Sequence, residues 1–275
     1  KLSASNMWID ESDAETATYG IYLYMRDALK SVHDIYLCWG EFRNGLWGAG
    51  TNKTLSGVDQ TQVRTSTMSS SNAYADWSVM YKTVNQANLI LKHVPEMGIS
   101  ESVRNFSLGN AYFSRAWCYF WIARIWGDAP LALTGYESTA GDLYLPRAPK
   151  AEIFARIESD LTEAERYVTD NSDKAVATPA AVQMLKADYA LWMYRVAGGG
   201  SSYLTMAEEA IETLNLSASR LESDYAQVFS SANKLNKEVI FAVHQANGEA
   251  VNGPGYYLGW NSNYVEAAYQ NNPVP

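Results

Sequence analysis

The chain has 275 residues, enough to bury a large core as one domain or two closely packed ones. Its 30 acidic residues outnumber 21 Lys and Arg, and the net charge of −9 argues against nucleic acid or an anionic membrane surface as partner. No apolar run reaches the ~20 residues of a membrane-spanning helix, and Lys1 does not open a signal peptide.

In chain order, DESDAETATYGIYLYMRDAL (10–29) offers Asp and Ser as caps ahead of apolar residues at helical spacing, which predicts a first helix. Residues 39–72 are rich in Gly, Ser, Thr and Asn and lack a period, apart from a short strand suggested near 61–65. A structureless stretch of that length inside a compact domain is commonly functional. Helical patterning returns over 72–94, with Trp77, Tyr81, Val84, Asn88 and Leu91 on one stripe. A further helix is predicted from Ser100 to Trp126, ended by Gly127 and Pro130. Others are predicted over 150–168, over 178–197 with Thr178-Pro179 as N-cap and first position, and over 203–215. Gly198-Gly199-Gly200 stops the one before last. KEVIFAVHQ (237–245) alternates as a strand does, and residues 245–275 read as an aromatic loop.

The chain holds 9 Trp, 19 Tyr and 7 Phe, and seven of these aromatics fall within 111–131. That helix is apolar nearly all round, as a buried helix is. It also has an echo. Shifted by 71 residues, RAWCYFWIARIWG (115–127) overlies KADYALWMYRVAG (186–198), matching Ala116/Ala187, Trp121/Trp192, Arg124/Arg195 and Gly127/Gly198. Two helix pairs, 72–126 and 150–197, thus end in related second helices, a period near twice that of a tetratricopeptide unit. The expected fold is mainly α: tetratricopeptide-like helix pairs packed as an α-α superhelix, with long loops and few short strands. Most aromatics of 111–126 are expected to pack between helix pairs. Cys118, inside that helix, reads as a buried free thiol, and Cys38 is its only possible disulfide partner.

WSVMYKTVNQANLIL (77–91), GNAYFSRAWCYFWIARIWGDAPL (109–131), PRAPKAEIFARIESDLTEAERYV (146–168), TPAAVQMLKADYALWMYR (178–195) and YAQVFSSANKLNKEVIFAVH (225–244) occur in an order that resembles the SusD/RagB family. The Arg-Ala aromatic helix ending in Gly-Asp-x-Pro, the Pro-Arg-x-x-x-x-Glu-Ile opening of the next helix and the Lys-Glu-Val-Ile-Phe stretch carry the likeness, over about 170 residues. The resemblance implies a lipid-anchored protein on the cell surface of the outer membrane. It implies glycan or other nutrient binding without catalysis, no cofactor, and a TonB-dependent (SusC-like) transporter as partner. One SusD-like domain is expected over 1–275, with a helical-repeat core at about 72–215 and loop-rich segments at 39–71 and 245–275. The family's lipidated N-terminal Cys is not among these residues, and they cover about half of a usual member. Part of a ligand site is therefore expected outside them.

Catalytic patterns are weak. His33, His93 and His244 have no metal-ligand spacing, and no P-loop, Gly-x-Gly-x-x-Gly or Gly-x-Ser-x-Gly occurs. Glu158 and Asp160 are too close in sequence to face each other, and no spacing supports Glu41 with Glu249 as a glycosidase pair. A helical-repeat scaffold that binds protein, or a helical glycosidase, are the alternatives to a glycan binder. Sugars stack their C–H faces on Trp or Tyr while amides and charged groups take the hydroxyls. Aromatics on irregular segments are thus the candidates: Trp39 and Trp47 with Glu41, Arg43 and Asn44, and Tyr256, Tyr257 and Trp260 with Asn263. The competing reading has Trp39 and Trp47 pinning a long loop to the helices.

Overall fold

The computed structural model describes residues 7–30, 35–40, 43, 58–140, 143–214 and 220–244. The chain divides into two compact units, one of Lys1–Leu23 and Met80–Val243, the other of Tyr24–Val79 and His244–Pro275. The secondary structure described is helical: α1 (Glu11–Lys30), α2 (Ile35–Gly40), α3 (Val58–Thr65), α4 (Ser78–His93), α5 (Glu101–Trp126), α6 (Lys150–Tyr167), α7 (Pro179–Arg195), α8 (Ser201–Thr213) and the short α9 (Tyr225–Val228). Two two-residue strands, β1 (Ala129–Pro130) and β2 (Arg147–Ala148), pair antiparallel with Ala129 opposite Ala148.

The helix ends follow local chemistry. Thr178 Oγ1 accepts from Ala181 N at 3.1 Å, and Pro179 opens α7 where its missing N–H costs nothing. Ser100 Oγ accepts from Val103 N at 3.5 Å at the start of α5. The echoed glycines share a conformation: Gly127 caps α5 at φ 70°, and Gly198, beyond the Val196 cap of α7, has φ 74°, a left-handed region that favours glycine. Ala116 and Ala187 are both buried.

In the larger unit α5 is the central element. Phe113, Tyr119 and Phe120 are fully buried, whereas Tyr112, Trp117, Trp121 and Trp126 are half-buried. The second helices meet through side chains: Phe120 lies edge-on to Tyr189 and Trp192 at 5.6 and 6.3 Å, and Arg124 lies over the Trp192 ring at 5.7 Å. The close backbone approach is elsewhere, between α5 and α6. A Cβ on Gly109 would stand 2.6 Å from Val168 Cγ2 and 3.1 Å from Val168 N, so only glycine fits that crossing. On α4 the buried stripe centres on Val84 and Asn88 as predicted, and adds Met80, Thr83, Ala87 and Ile90. Tyr81 and Leu91 are only half-buried.

The motif fragments meet in space. Asp128 Oδ1 accepts from Lys150 N at 2.8 Å, capping α6, while Arg147 Nη1 donates to Asp128 O at 2.9 Å. Gly-Asp-x-Pro and Pro-Arg-x-x-x-x-Glu-Ile are thus two halves of one joint: they carry β1, β2 and the α6 cap.

Two strand expectations need correction. Residues 61–65 belong to α3, not to a strand. Asp59 in its first turn and Arg64 in its last suit the helix dipole, and Thr65 Oγ1 bonds back to Thr61 O at 2.8 Å. Residues 237–244 form no strand either. Val239–Val243 are all half-buried rather than alternating, and one rung, Ala242 N to Lys174 O at 2.9 Å, is the sole backbone bond described for Ile240–His244.

Candidate functional site

Of the nine residues proposed for ligand contact, Trp39 and Arg43 fall among the described residues. Glu41, Asn44, Trp47, Tyr256, Tyr257, Trp260 and Asn263 lie outside them. In the smaller unit α2, α3 and the 3-10 turn Ala73–Ala75 enclose a cluster of Ile35, Cys38, Val63 and Tyr74, with Tyr36 and Trp39 packed against it. Asn72 organises this frame. Its Oδ1 accepts from Tyr74 N at 2.9 Å, and its Nδ2 donates to Asp59 O and Gln62 Oε1 at 3.1 and 2.9 Å.

Trp39 Nε1 donates to Tyr74 O at 2.9 Å, so the polar edge of the indole is committed to the fold while the ring stays half-exposed. The Tyr36 hydroxyl is held above its ordinary pKa by burial. Arg43, four residues after Trp39, is exposed. The geometry gives a half-buried aromatic ring whose N–H is tied to the fold, and Arg43 is an exposed guanidinium with five donors. Such a ring can stack on a sugar face, and it can equally brace the segment that follows.

Both cysteines are buried and free. Burial pushes the Cys118 thiol far above its ordinary pKa, so neither its placement nor its ionisation suits a nucleophile.

The charged core of the larger unit was not foreseen. Asp160 is fully buried, with its oxygens accepting from Arg115 Nε and Nη2 at 2.7 Å each. Arg115 Nη1 donates to Asn88 Oδ1 at 2.7 Å, and Asn88 Nδ2 donates to Ala132 O at 3.0 Å. Tyr119 OH also reaches Ala132 O, and Tyr81 OH reaches Pro130 O. These side chains fasten the segment after β1 to α4 and α5.

Glu158 has different neighbours. Its Oε1 accepts from Tyr189 OH at 2.8 Å and Tyr203 OH at 2.7 Å. Desolvation, reinforced by the carboxylate, keeps Tyr189 protonated well above the usual tyrosine range. The two acids on α6 therefore serve separate networks and do not face each other as an acid–base pair. A signal was available: Asp160 lies among Ile153, Ile157, Leu161 and Ala164 on the buried stripe of α6, where a carboxylate needs a partner. Among the described residues no group of three or more His, Cys, Asp or Glu is placed to hold a metal, and no helix is long and apolar enough to cross a membrane.

Comparison with known proteins places this frame. A family described as "Starch-binding associating with outer membrane", SusD-like, matches residues 49–192, just over half of the chain. A SusD-like protein of Formosa agariphila is 27% identical over 168 residues, covering 61% of this chain and 32% of the relative. One of Bacteroides ovatus is 26% identical over 174 residues, again covering 61% and 32%. The chain thus matches about a third of the length of these relatives. Among solved structures, a SusD superfamily protein of Bacteroides vulgatus superposes with TM-score 0.77 at 27% identity, covering 91% of this chain and 52% of that one. B. fragilis NanU superposes with TM-score 0.73 at 28% identity, covering 90% and 50%. The fold is shared at lower identity by a protein solved with a xylogluco-oligosaccharide (TM-score 0.71, 22%) and by a laminarin-binding SusD-like protein (TM-score 0.66, 18%).

Proposed function

The chain belongs to the SusD-like family, and from that premise we propose that it captures oligosaccharide or polysaccharide at the cell surface and delivers it to a TonB-dependent (SusC-like) outer-membrane transporter. Residues 1–275 are then part of one SusD-like domain, anchored to the outer membrane by a lipid on the native precursor. It binds glycan without hydrolysing it. The observation that carries the reading is the family match over 49–192, which spans α3 to the C-terminal half of α7 and includes the Asp128–Lys150 joint. The half-exposed ring of Trp39 near the end of α2 supports a site there, to which Arg43, Trp47 and residues 256–263 contribute.

The test is native electrophoresis in gels cast with a panel of polysaccharides, with reducing ends assayed in parallel. Retardation by at least one polysaccharide without new reducing ends is expected. Hydrolysis, or free migration through every gel, would overturn the reading. Trp47→Ala and Trp260→Ala should each weaken binding by about 1–3 kcal/mol, on the scale of a lost aromatic stacking platform. Trp39→Ala is a poorer probe, because it also removes the bond to Tyr74 O and a wall of the Ile35–Cys38–Val63 cluster. For the partner, extraction of native membranes in mild detergent should yield a complex with the barrel; a protein that runs alone refutes that half of the proposal.

A further inference from the structure

Within the larger unit a cleft of about 390 Å³ opens where the first turns of α7 face the end of α8 and the stretch Val239–Ile240. Its size is that of a small-molecule site. Two cations line it, Lys174 and Arg220. Lys174 Nζ donates to Asn236 O at 2.6 Å, and Arg220 Nη1 donates to Leu214 O at 3.0 Å. Each bond goes to a neutral carbonyl. An ammonium has three N–H donors and a guanidinium five, so most of these donors have no acceptor among the described residues. Neither cation has a carboxylate within ion-pairing distance there. Glu222 is the acid that acts on Lys174, and its Oε1 accepts from Lys237 N at 3.3 Å and Asn233 Nδ2 at 3.5 Å.

Two like charges half-buried in one cleft without a counter-ion are unfavourable. Burial, and after it Arg220, hold Lys174 below its ordinary pKa, against the opposing pull of Glu222. An anion entering between them would relieve that cost. The rest of the lining suits a polyhydroxylated ring. Asn171 offers an amide, and Gln183, whose Nε2 is spent on Glu165 Oε1 at 2.7 Å, keeps its carbonyl oxygen as an acceptor. Pro179 and Leu214 supply apolar wall.

We propose that this cleft binds an acidic sugar residue, a hexuronate, with its carboxylate between Lys174 and Arg220 and its hydroxyls on Asn171 and Gln183. The planar fork of Arg220 matches a carboxylate. The proposal deepens the glycan-binding reading and rests on it.

Calorimetric titration of the whole chain with trigalacturonate and with galactotriose tests it. Trigalacturonate should bind at least about tenfold tighter, the scale of one charged hydrogen bond. Lys174→Gln should abolish that preference while its far-UV circular dichroism keeps the helical signal, and Arg220→Lys, which keeps the charge, should retain part of it. Equal binding of the two sugars by the wild type would overturn the proposal. So would a preference that survives Lys174→Gln, or displacement of trigalacturonate by galactose 6-sulfate as readily as by galacturonate. Neutral polysaccharide binding without an acid preference would sink the cleft and leave the glycan reading standing; loss of binding to every glycan would sink both.

Discussion

Removing one carboxylate should separate a buried ion pair from a surface one on the same helix. Asp160 has no exposed surface, and its partner Arg115 is 5% exposed. Asp160→Ala would strand that guanidinium with Asn88 Oδ1 as its one remaining hydrogen-bond partner among the described residues, and would also remove the carboxylate 3.6 Å from Arg156 Nη1. Breaking a buried pair by deleting one partner costs about 3–5 kcal/mol, because the survivor stays desolvated and unpaired. At about 2–4 °C for each kcal/mol in a chain of this size, the thermal midpoint should fall by roughly 6–20 °C. Far-UV circular dichroism of a thermal ramp, with a urea titration beside it, gives both quantities. The control is Glu163→Ala: its partner Arg166 lies 3.7 Å away on the exposed face, where a pair contributes close to nothing. The double variant Arg115→Met/Asp160→Leu should recover most of the loss, since it leaves no buried charge. A single-variant cost below about 1 kcal/mol, or a double variant worse than the single one, would refute this account of the core.

Gly109→Ala should destabilise by about 1–3 kcal/mol in a urea titration although alanine is the better helix former, because its Cβ would overlap Val168; a gain in stability would show that α6 can shift away. Cys118 should react with an aromatic disulfide reagent no faster than the protein unfolds, and reaction at the rate of a free thiol would contradict its burial. Tyr22, Tyr119 and Tyr189 are all raised above the ordinary tyrosine value of about 10, chiefly by desolvation. Above pH 10 the unfolded chain therefore loses protons that the folded chain keeps, so their contribution is full below pH 10 and declines above it. Urea midpoints that stay flat from pH 9 to about 11.5 would count against it.

The longer helices, α1 and α4 to α8, were legible because their signals are local, whereas the short α2, α3 and α9 were not. Thr178-Pro179 and the glycines at 127 and 198 act within one turn, and the apolar stripes need only a nearest-neighbour period. Strand signals lack that autonomy. The alternation in KEVIFAVHQ and the β-branched residues near 61–65 describe surfaces that could pair, but a strand exists only where a neighbour offers its ladder. In α3 the thread of Val58–Thr65 closes its own hydrogen bonds instead, and Asn72 ties its Asp59 and Gln62 to the turn that follows.

Sites demand information of another kind. That Asp160 needs a counter-ion can be read from its place on the stripe of α6, yet Arg156, one turn away, is the local candidate, and the bidentate partner lies 45 residues upstream on α5. Only the crossing of two helices chooses between them. Lys174 and Arg220 are harder still: neither lies on an α-helix, no period relates them, and each looks alone like an ordinary solvated charge. Their significance comes from standing in one cleft with carbonyls where carboxylates would neutralise them. Trp39 shows the same limit from the other side, since the residue type announces a platform while the bond to Tyr74 O shows that the fold uses it too. A helix must satisfy its own backbone, and so its sequence records its geometry. A binding surface is shaped to groups outside the chain, and its residues acquire their meaning only once the chain has brought them together.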